Sequence, residues 1–333
     1  MGPVTSIARP TSADVARLSG VSRATVSYVL NRDPRQTISD TTRTKVLEAA
    51  SALGYVPSAA ASSLRRGHSN LVILALDPLF SGHISDLMVA SATDRLRQDG
   101  FAVVSHSHEN PETIVEVAQA TSAFAVLSLT FLTADIRAQL TRTGVKRIIH
   151  PESPETDGPP DRPWELPIGQ LQVDHLASRG YDRIVYALPE ASPRLPIAHA
   201  RLRGVQIECA NLRLEQPQVI ELPLERGVIA ERLSRLERLP GRTAVCAYED
   251  QLAIGVLGAM NDLGWRVKDD LGVIGSDDLP VASLVTPGLT TVVANASEIG
   301  LAAAQKFLES EGDDDLDWGG GDVVFTVVER QST

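Results

Sequence analysis

Residues Thr11–Asn31 read TSADVARLSGVSRATVSYVLN, and this stretch decides the fold of the N-terminal part of the chain. Thr11 suits the cap of a first helix, because Asp14 three residues later can accept hydrogen bonds at the same turn. Gly20 supplies a sharp turn, and Ser22 caps a second helix. The pattern predicts two short helices joined by a tight turn, which form either a helix-turn-helix or an ordinary helical hairpin.

Apolar residues at helical spacing predict a miniature core of three helices. Ser39 and Gly54 suit the start and the end of the third helix. The expected core residues are Ala13, Val15, Ala16 and Leu18, then Val26, Val29 and Leu30, and finally Val46, Leu47, Ala50, Leu53 and Tyr55. In a helix-turn-helix, the outer face of the second helix faces the DNA major groove. That face carries Arg23, Ala24, Thr25, Ser27 and Tyr28.

Charge is distributed unevenly along the chain of 333 residues, whose net charge is −11. Residues 1–68 contain nine Lys or Arg and four Asp or Glu side chains, a net charge of +5, which leaves −16 for residues 69–333. A basic head on an acidic body is typical of a DNA-binding module joined to a part that does not bind DNA, because phosphates attract the first and repel the second. The asymmetry favours the helix-turn-helix over the hairpin.

Residues 57–67, PSAAASSLRRG, connect this head to the rest of the chain. The segment starts with a proline, contains small residues, one leucine and two arginines, and stops at a glycine. A helix this short is marginal in isolation. The segment is therefore either a flexible linker or a hinge helix that folds on DNA.

From residue 71 onward, buried-strand patterns alternate with helical patterns. Strands are predicted at 71–76, 101–104, 124–127 and 147–149, with helices at 84–98, 112–121 and 133–142. After a proline-rich loop at 151–167, helices are predicted at 170–178, 198–212, 228–236, 251–263 and 296–310. Strands are predicted at 183–186, 218–221, 244–246, 271–275 and 323–328, the last after an acidic loop at 309–322. This alternation predicts two doubly wound α/β lobes around a cleft suited to closure on a small ligand.

Composition and length fit a globular protein of two or three domains, with 43% hydrophobic and 22% charged residues. We expect a cytoplasmic location, because no apolar run is long enough to span a membrane and no signal-peptide pattern opens the chain. Cys209 and Cys246 lack metal-ligand spacing and are expected to be reduced core residues. No cofactor is implied, and His106 and His108 lack a third ligand for a metal.

Several segments resemble, in the same order, the lac repressor (LacI/GalR) family of bacterial transcription regulators. They are residues 14–31 and 42–67, RLRG at 201–204, 248–267, DDLGVIGSDDLP at 269–280 and PGLTTV at 287–292. The resemblance implies a sequence-specific DNA-binding regulator, a repressor and not an enzyme, whose operator affinity is controlled by a small molecule bound between two lobes. It implies a three-helix helix-turn-helix domain over 1–56, a hinge helix and linker over 57–69, and a periplasmic-binding-protein-like α/β body with doubly wound parallel sheets over 70–333.

Within that effector-binding and dimerisation body, we expect an N-subdomain of about 70–165 plus 294–321 and a C-subdomain of about 166–293 plus 322–333. The resemblance implies a homodimer on a pseudo-palindromic operator, associated with the nucleoid when bound. Leucine heptads, which join dimers into tetramers, do not follow Arg330, so a dimer is expected.

The resemblance also assigns DNA contacts to two segments. Arg23 and Ala24 stand where the family places base-reading side chains, which suits guanine for Arg23 and a thymine methyl group for Ala24. Tyr28 either contacts a base or packs against the third helix. The expected phosphate or shape contacts are Ser22, Thr25, Ser27 and Asn31. The expected hinge contacts are Ser58, Ala61, Leu64 and Arg65, with Leu64 wedged into the minor groove to kink the DNA.

The expected effector-binding residues are His83, Arg201, Glu249 and Asp277. Arg201 matches the family's effector-binding arginine, Asp277 its carboxylate, and Glu249 a position that usually holds Asn or Ser. An arginine opposite carboxylates suits a polyhydroxylated ligand, a sugar or a sugar phosphate. Alternatively, Arg201 and Asp277 form an inter-lobe or surface ion pair. Asp250 is expected to N-cap the helix that follows it.

The chain departs from the family around this site. Residues 81–84, SGHI, replace an aromatic loop, and His83 takes the place of a stacking ring. Trp164 is either a replacement stacking platform or a loop anchor. The divergence suggests an acidic or phosphorylated ligand met by Arg194, Arg201 and Arg203, or a pocket that has lost its ligand. Outside the regulator class, the alternative is a solute-binding or sugar-sensing protein of the same bilobed fold without operator binding.

Overall fold

The computed structural model describes residues 10–30, 38–55, 69–76, 82–107, 110, 112–129, 132–151, 165–190, 192–236, 240–310, 315–317 and 323–333. The chain divides into two compact units, Met1–Asn70 and Leu71–Thr333. The predicted hinge helix lies outside the described residues, as do Asn31, Ser58, Ala61, Leu64, Arg65, His108 and Trp164. No helix in the described ranges is long and apolar enough to cross a membrane.

The first unit contains three helices, α1 (Ser12–Ser19), α2 (Arg23–Leu30) and α3 (Asp40–Leu53). The predicted helix caps and the glycine end of α1 are confirmed. The Asp14 carboxylate accepts hydrogen bonds from the Thr11 backbone N–H and hydroxyl at 2.9 and 2.7 Å, and these bonds, with Arg17 nearby, lower the pKa of Asp14. Gly20 ends α1 with a φ of 70°, a left-handed conformation that glycine adopts without strain. The Thr42 N–H donates to Ser39 Oγ at the start of α3.

A small core joins these three helices. It contains Val15, Ala16, Val26, Val29, Val46, Ala49 and Ala50. Two predicted members are wrong, because Leu18 is 57% exposed and Leu47 is 50% exposed. Each lies roughly 100° around its helix from the centre of the buried face, since successive residues turn by about 100°. The core of the head is therefore built from small and β-branched side chains.

The second unit begins with a five-stranded parallel sheet in the order β10-β4-β3-β1-β2. Its strands are β1 (Leu71–Leu76), β2 (Ala102–Ser107), β3 (Ala125–Ser128), β4 (Arg147–His150) and β10 (Asp315–Asp317). The helices of this lobe are α4 (His83–Gln98), α5 (Glu112–Thr121), α6 (Ala134–Arg142) and α11 (Ala296–Glu309). Val72 and Leu74 pack toward α4 and α11, whereas Ile73 and Ala75 pack toward α5 and α6. Helices cover both faces, as in a doubly wound fold.

A six-stranded sheet in the order β11-β9-β8-β7-β5-β6 forms the other lobe. Its strands are β5 (Arg183–Pro189), β6 (Gln218–Leu222), β7 (Thr243–Ala247), β8 (Gly272–Ser276), β9 (Thr290–Ala294) and β11 (Phe325–Val328). Its helices are α7 (Leu166–Ser178), α8 (Leu195–Asn211), α9 (Arg226–Ser234) and α10 (Asp250–Asp262). All pairs are parallel except the edge pair of β11 with β9. Cys209 and Cys246 are buried and unpaired in this lobe, as predicted.

Two strands of the structure, β9 and β10, are not predicted by the sequence patterns. The predicted acidic loop at 309–322 contains β10, and β9 was not predicted, although a buried Thr-Thr-Val run supplies it. Both strands are short: β10 pairs with β4, which is distant in the chain, and β9 lies between β8 and β11. Strands of this kind are specified by their neighbours more than by their own residues.

Candidate DNA-reading surface and ligand site

The second helix of the head presents one buried and one exposed side. Val26 and Val29 are 1% and 2% exposed, respectively, and hold α2 against its neighbours. Arg23, Ala24 and Tyr28 are exposed, and Ala24 and Tyr28 are four residues apart, so they occupy one row of the outer face. Tyr28 is 36% exposed and thus available to an outside partner. Arg23, Ala24 and Tyr28 therefore lie outside the buried core of the head.

Ser22 and Thr25 have a structural task at the start of α2. The Thr25 N–H donates to Ser22 Oγ at 3.1 Å, and the two hydroxyl groups lie 2.9 Å apart. Ser22 is thereby confirmed as the cap of this helix. Ser27 is half-buried beside the exposed row. Any contact of these hydroxyl groups with DNA must leave the capping hydrogen bond from the Thr25 N–H to Ser22 Oγ in place.

In the second unit, polar side chains gather where the strands of the six-stranded sheet end. Arg194 and Arg201 belong to the segment after β5, Glu249 and Asp250 follow β7, and Asp277 follows β8. Ligands of open α/β sheets bind outside the carboxyl ends of the strands. The residues Glu165, Arg194, Arg201, Glu249 and Asp277 are called the cleft cluster below.

Arg201 is the centre of the cleft cluster and only 7% exposed. Its Nε donates to Glu165 at 2.8 Å, its Nη2 to Asp277 at 3.1 Å, and its Nη1 to the Tyr248 carbonyl. Burial opposes the charged guanidinium, but the carboxylates of Asp277 and Glu165 outweigh it and raise the pKa of Arg201 above its usual value. Arg201 is therefore permanently charged and held in one position by three acceptors.

Glu249 and Arg194 form the second ion pair of the cluster. Arg194 Nη1 lies 2.9 Å from Glu249 Oε2, and Glu249 is 6% exposed. Burial raises the pKa of Glu249 and Asp277 adds to the effect, against a hydrogen bond with Tyr248 and the charge of Arg194. Gly82 of the other lobe approaches the same arginine, because a β-carbon there would lie 3.2 Å from Arg194 Nη2. The next residue, His83, begins α4 and is half-buried.

The turn after β8 is strained. Asp277 and Asp278 have φ values of 99° and 46°, which non-glycine residues seldom adopt. Asp250 stabilises this turn, because its carboxylate accepts from the Leu279 N–H at 2.7 Å and from the Thr291 hydroxyl at 2.6 Å. The prediction that Asp250 N-caps α10 is wrong, because Glu249 occupies the cap position and Asp250 is the first helical residue. Burial raises the pKa of Asp250 to about 7.

Two glycines bring Arg201 and Glu165 together. A β-carbon on Gly169 of α7 would lie 2.1 Å from the Arg201 carbonyl oxygen, and one on Gly204 of α8 would lie 2.1 Å from the Leu166 oxygen. The backbones of the two helices therefore touch at both points. Because Glu165 precedes the first residue of α7, this close crossing places its carboxylate beside the Arg201 guanidinium.

Gln172 lies next to the cleft cluster and is completely buried. Its side-chain Nε2 donates to the Ala247 and Gly275 carbonyls, both at 2.9 Å, and so joins the ends of β7 and β8. Its Oε1 is buried and has no hydrogen-bond partner among the described residues. The residues that follow these two carbonyls, Tyr248 and Ser276, lead directly into the cluster.

The structure thus brings three of the four predicted effector residues, Arg201, Glu249 and Asp277, into one cluster, with His83 near its edge. The alternative ion pair of Arg201 with Asp277 is present, but it is only partly exposed and lies within one lobe. Arg203 is exposed, and two residues along α8 turn it about 200° away from Arg201. Glu165 and Gln172 were missed, because their partners are 36 and 75 positions away in the sequence. In the described ranges, no group of His, Cys, Asp or Glu side chains could hold a metal ion, and His106 bonds Thr113 instead.

A helix-turn-helix head with an exposed second helix, followed by a two-lobed α/β body with a polar cluster at its strand ends, defines a DNA-binding transcriptional regulator with a ligand-sensing body. Residues 11–58 match the model of the family described as bacterial regulatory proteins, lacI family. Residues 173–333 match a periplasmic binding protein-like domain. The chain thus combines a lacI-family helix-turn-helix domain with a periplasmic-binding-protein-like domain.

Relatives with both parts cover nearly the whole chain. The HTH-type transcriptional repressor PurR of Mannheimia succiniciproducens is 26% identical over 311 residues, which are 90% of this chain and 91% of that protein. A lac repressor dimer bound to operator and the anti-inducer ONPF has a TM-score of 0.72 and 24% identity, covering 97% of this chain and 98% of that one. A complex of the transcriptional regulator CelR with cellobiose has a TM-score of 0.60 and 23% identity, covering 98% of this chain and all of that one, 100%.

Proposed function

We propose that this protein is a transcriptional repressor that binds a pseudo-palindromic operator as a homodimer and responds to a small polar molecule held by the cleft cluster. The observation that carries the proposal is the outer face of α2, where Arg23, Ala24 and Tyr28 are exposed above a core that does not need them. Two of the similar proteins support these assignments: one is named a PurR repressor, and the other is a lac repressor dimer bound to operator. Such a protein acts in the cytoplasm, at the nucleoid.

The outer face of α2 with its flanking residues, called the reading surface, contains side chains whose tasks follow from their chemistry. Arg23 pairs its two N–H groups with O6 and N7 of guanine, and Ala24 contacts a thymine methyl group. Tyr28 adds a base contact one helical turn further on. Ser22, Thr25 and Ser27, with Asn31, donate to phosphates and thereby set the register of the helix on the duplex.

The segment after the head adds a second kind of DNA contact. Leu64 wedges between base pairs of the minor groove, an insertion that costs a few kcal/mol of stacking and kinks the duplex toward more protein surface. Ser58, Ala61 and Arg65 flank this wedge, and Arg65 neutralises a phosphate. Leu64→Ala is expected to weaken operator binding far more than binding to random DNA. Equal losses of affinity for operator and random DNA in a filter-binding assay would contradict the insertion of Leu64 into the minor groove.

The cleft cluster supplies the binding groups for the effector. Arg201 and the carboxylates of Glu249 and Asp277 bind hydroxyl groups, Glu165 orients Arg201, and His83 approaches from the other lobe. A ligand that contacts both lobes favours one arrangement of them and so changes the affinity of the head for its operator.

Selection of bound duplexes from a random DNA library tests the repressor assignment. The full chain is expected to enrich two inverted half-sites about one helical turn apart, because a two-fold dimer presents two recognition helices at that spacing. The same selection with Arg23→Ala should lose the guanine at its contact position. A library that stays unenriched with the folded full chain would instead favour a ligand-binding protein of the same fold that does not read DNA.

A further inference from the structure

The two arginines of the cleft cluster are already matched by carboxylates of the same chain. Arg201 contacts Glu165 and Asp277, and Arg194 contacts Glu249. A phosphate or carboxylate group of a ligand would have to displace one of these side chains. The displaced carboxylate would then remain in a buried position without its partner, which is strongly unfavourable.

Negative charge is in excess in the cluster, with three carboxylates and two guanidinium groups. A fourth carboxyl group, Asp250, lies against the same turn and is fully buried, but its pKa of about 7 leaves it mostly protonated at pH 6.5, so the excess negative charge comes from the other three. Beyond the effect of burial, Asp277 raises the pKa of both Glu249 and Asp250, which shows that these groups sense each other's charge. A positive charge entering the cluster therefore relieves repulsion, whereas a negative charge increases it.

Hydrogen-bonding capacity is unbalanced in the same direction. Each nitrogen of Arg201 already donates to an acceptor. The acceptors are in surplus, because each of the three carboxylates offers about four lone-pair positions and the two arginines use only some of them. This site is complementary to a molecule that brings donors, such as hydroxyl and ammonium groups.

We propose that the effector carries a protonated amine beside its hydroxyl groups, as an amino sugar does. The inference rests on the proposed function, since it specifies the ligand of the site assigned there. The ammonium group binds between Glu249 and Asp277, and the hydroxyl groups take the remaining carboxylate oxygens. A sugar phosphate is excluded from the same position, because both guanidinium charges are compensated.

Isothermal titration calorimetry on the full chain at pH 6.5 tests this inference, with matched sugars that differ in one group. The pairs are glucosamine with glucose, galactosamine with galactose and mannosamine with mannose, supplemented by N-acetylglucosamine and glucose 6-phosphate. In at least one pair the amine should bind about tenfold or more tightly than the hydroxyl compound, a small part of what a half-buried charge pair can supply. N-acetylglucosamine should lose this advantage, because acetylation removes the charge.

Two variants with opposite expected effects check the cause. Glu249→Gln should reduce the preference for the amine about tenfold, and Arg194→Gln should increase it, because the first removes a negative and the second a positive charge. Glu215→Gln is the matched control, since Glu215 is exposed and pairs with Arg183 at the other end of β5. Melting curves establish that each variant is folded before it is titrated.

Three results overturn the inference: tighter binding of glucose 6-phosphate, a preference that Glu249→Gln leaves unchanged, or no binding of any amine. Operator selection separates such a failure from a failure of the proposed function. A chain that enriches inverted half-sites and prefers a neutral or anionic ligand remains a repressor with a different effector. A chain that binds the amine and enriches no DNA would support the proposed ligand and contradict the proposed repressor function.

Discussion

The reading surface of the head and the cleft cluster of the body handle functional side chains in opposite ways. In the head, Arg23 and Tyr28 point outward, and the fold rests on other residues such as Val26. In the body, Arg201 and Glu249 are buried and belong to the packing of the lobe. DNA is therefore expected to meet side chains that the fold leaves exposed, whereas a small ligand is expected to meet side chains that already have partners inside the lobe. Substitutions should therefore separate binding from folding in the head and couple them in the body.

Removing Arg201 should have the largest effect on folding. Arg201→Met leaves the buried Glu165 and the half-buried Asp277 without their partner, and the free energy of unfolding should fall by about 3–5 kcal/mol. Urea denaturation of the full chain measures the change. Arg203→Met on the exposed side of the same helix is the control, expected to stay within about 0.5 kcal/mol of the parent. Equal stabilities of the two variants would contradict the buried role of Arg201.

A side chain inserted between α7 and α8 should have the next largest effect on stability. Gly204→Ala places a methyl group where the Leu166 oxygen lies, so the helices must separate, at a cost of about 1–3 kcal/mol. Gly227→Ala in α9 is the control, because a β-carbon there meets nothing within 4 Å. That variant should gain up to about 1 kcal/mol from its better helix propensity. Loss of stability in both variants would point to helix propensity instead of the close crossing.

In the head, the loss should appear in binding alone. Arg23→Ala removes a bidentate contact to guanine and should weaken binding to the selected operator by about 1–3 kcal/mol. Fluorescence anisotropy with labelled operator and random duplexes measures both affinities. Random DNA should lose less, because it is held by phosphate contacts. A parallel drop on both duplexes would make Arg23 a phosphate contact.

The features of these two regions that the sequence predicts depend on local interactions, and those that it does not predict depend on long-range ones. Gly20, Ser22 and Ser39 act within three or four residues of their own position, so their caps could be predicted from the sequence. The ion pair of Arg201 with Glu165 joins residues 36 positions apart, and that of Arg194 with Glu249 joins residues 55 apart. Such pairs depend on the close crossing of two helices and on the order of strands in the sheet. The resemblance located Arg201 and Asp277, but it did not indicate that they are paired inside the lobe.

The last expected effect, modest over any single pH unit, is a pH dependence at Asp250. Its pKa of about 7 in the folded chain exceeds the ordinary value of 3.8, so the folded state retains a proton that the unfolded state releases. Stability is therefore highest below pH 4 for this group and is lost as the pH rises to 7. Relative to Asp250→Asn, the parent should lose up to about 1.4 kcal/mol per pH unit in this range. Parallel profiles in urea denaturation would contradict the raised pKa.

One paired measurement tests the contrast between the two regions most directly. The melting temperature and the operator affinity are recorded together for the parent, Arg23→Ala and Arg201→Met. We expect Arg23→Ala to lose operator affinity at an unchanged melting temperature, and Arg201→Met to melt several degrees lower. A lowered melting temperature for Arg23→Ala with an unchanged one for Arg201→Met would contradict the account.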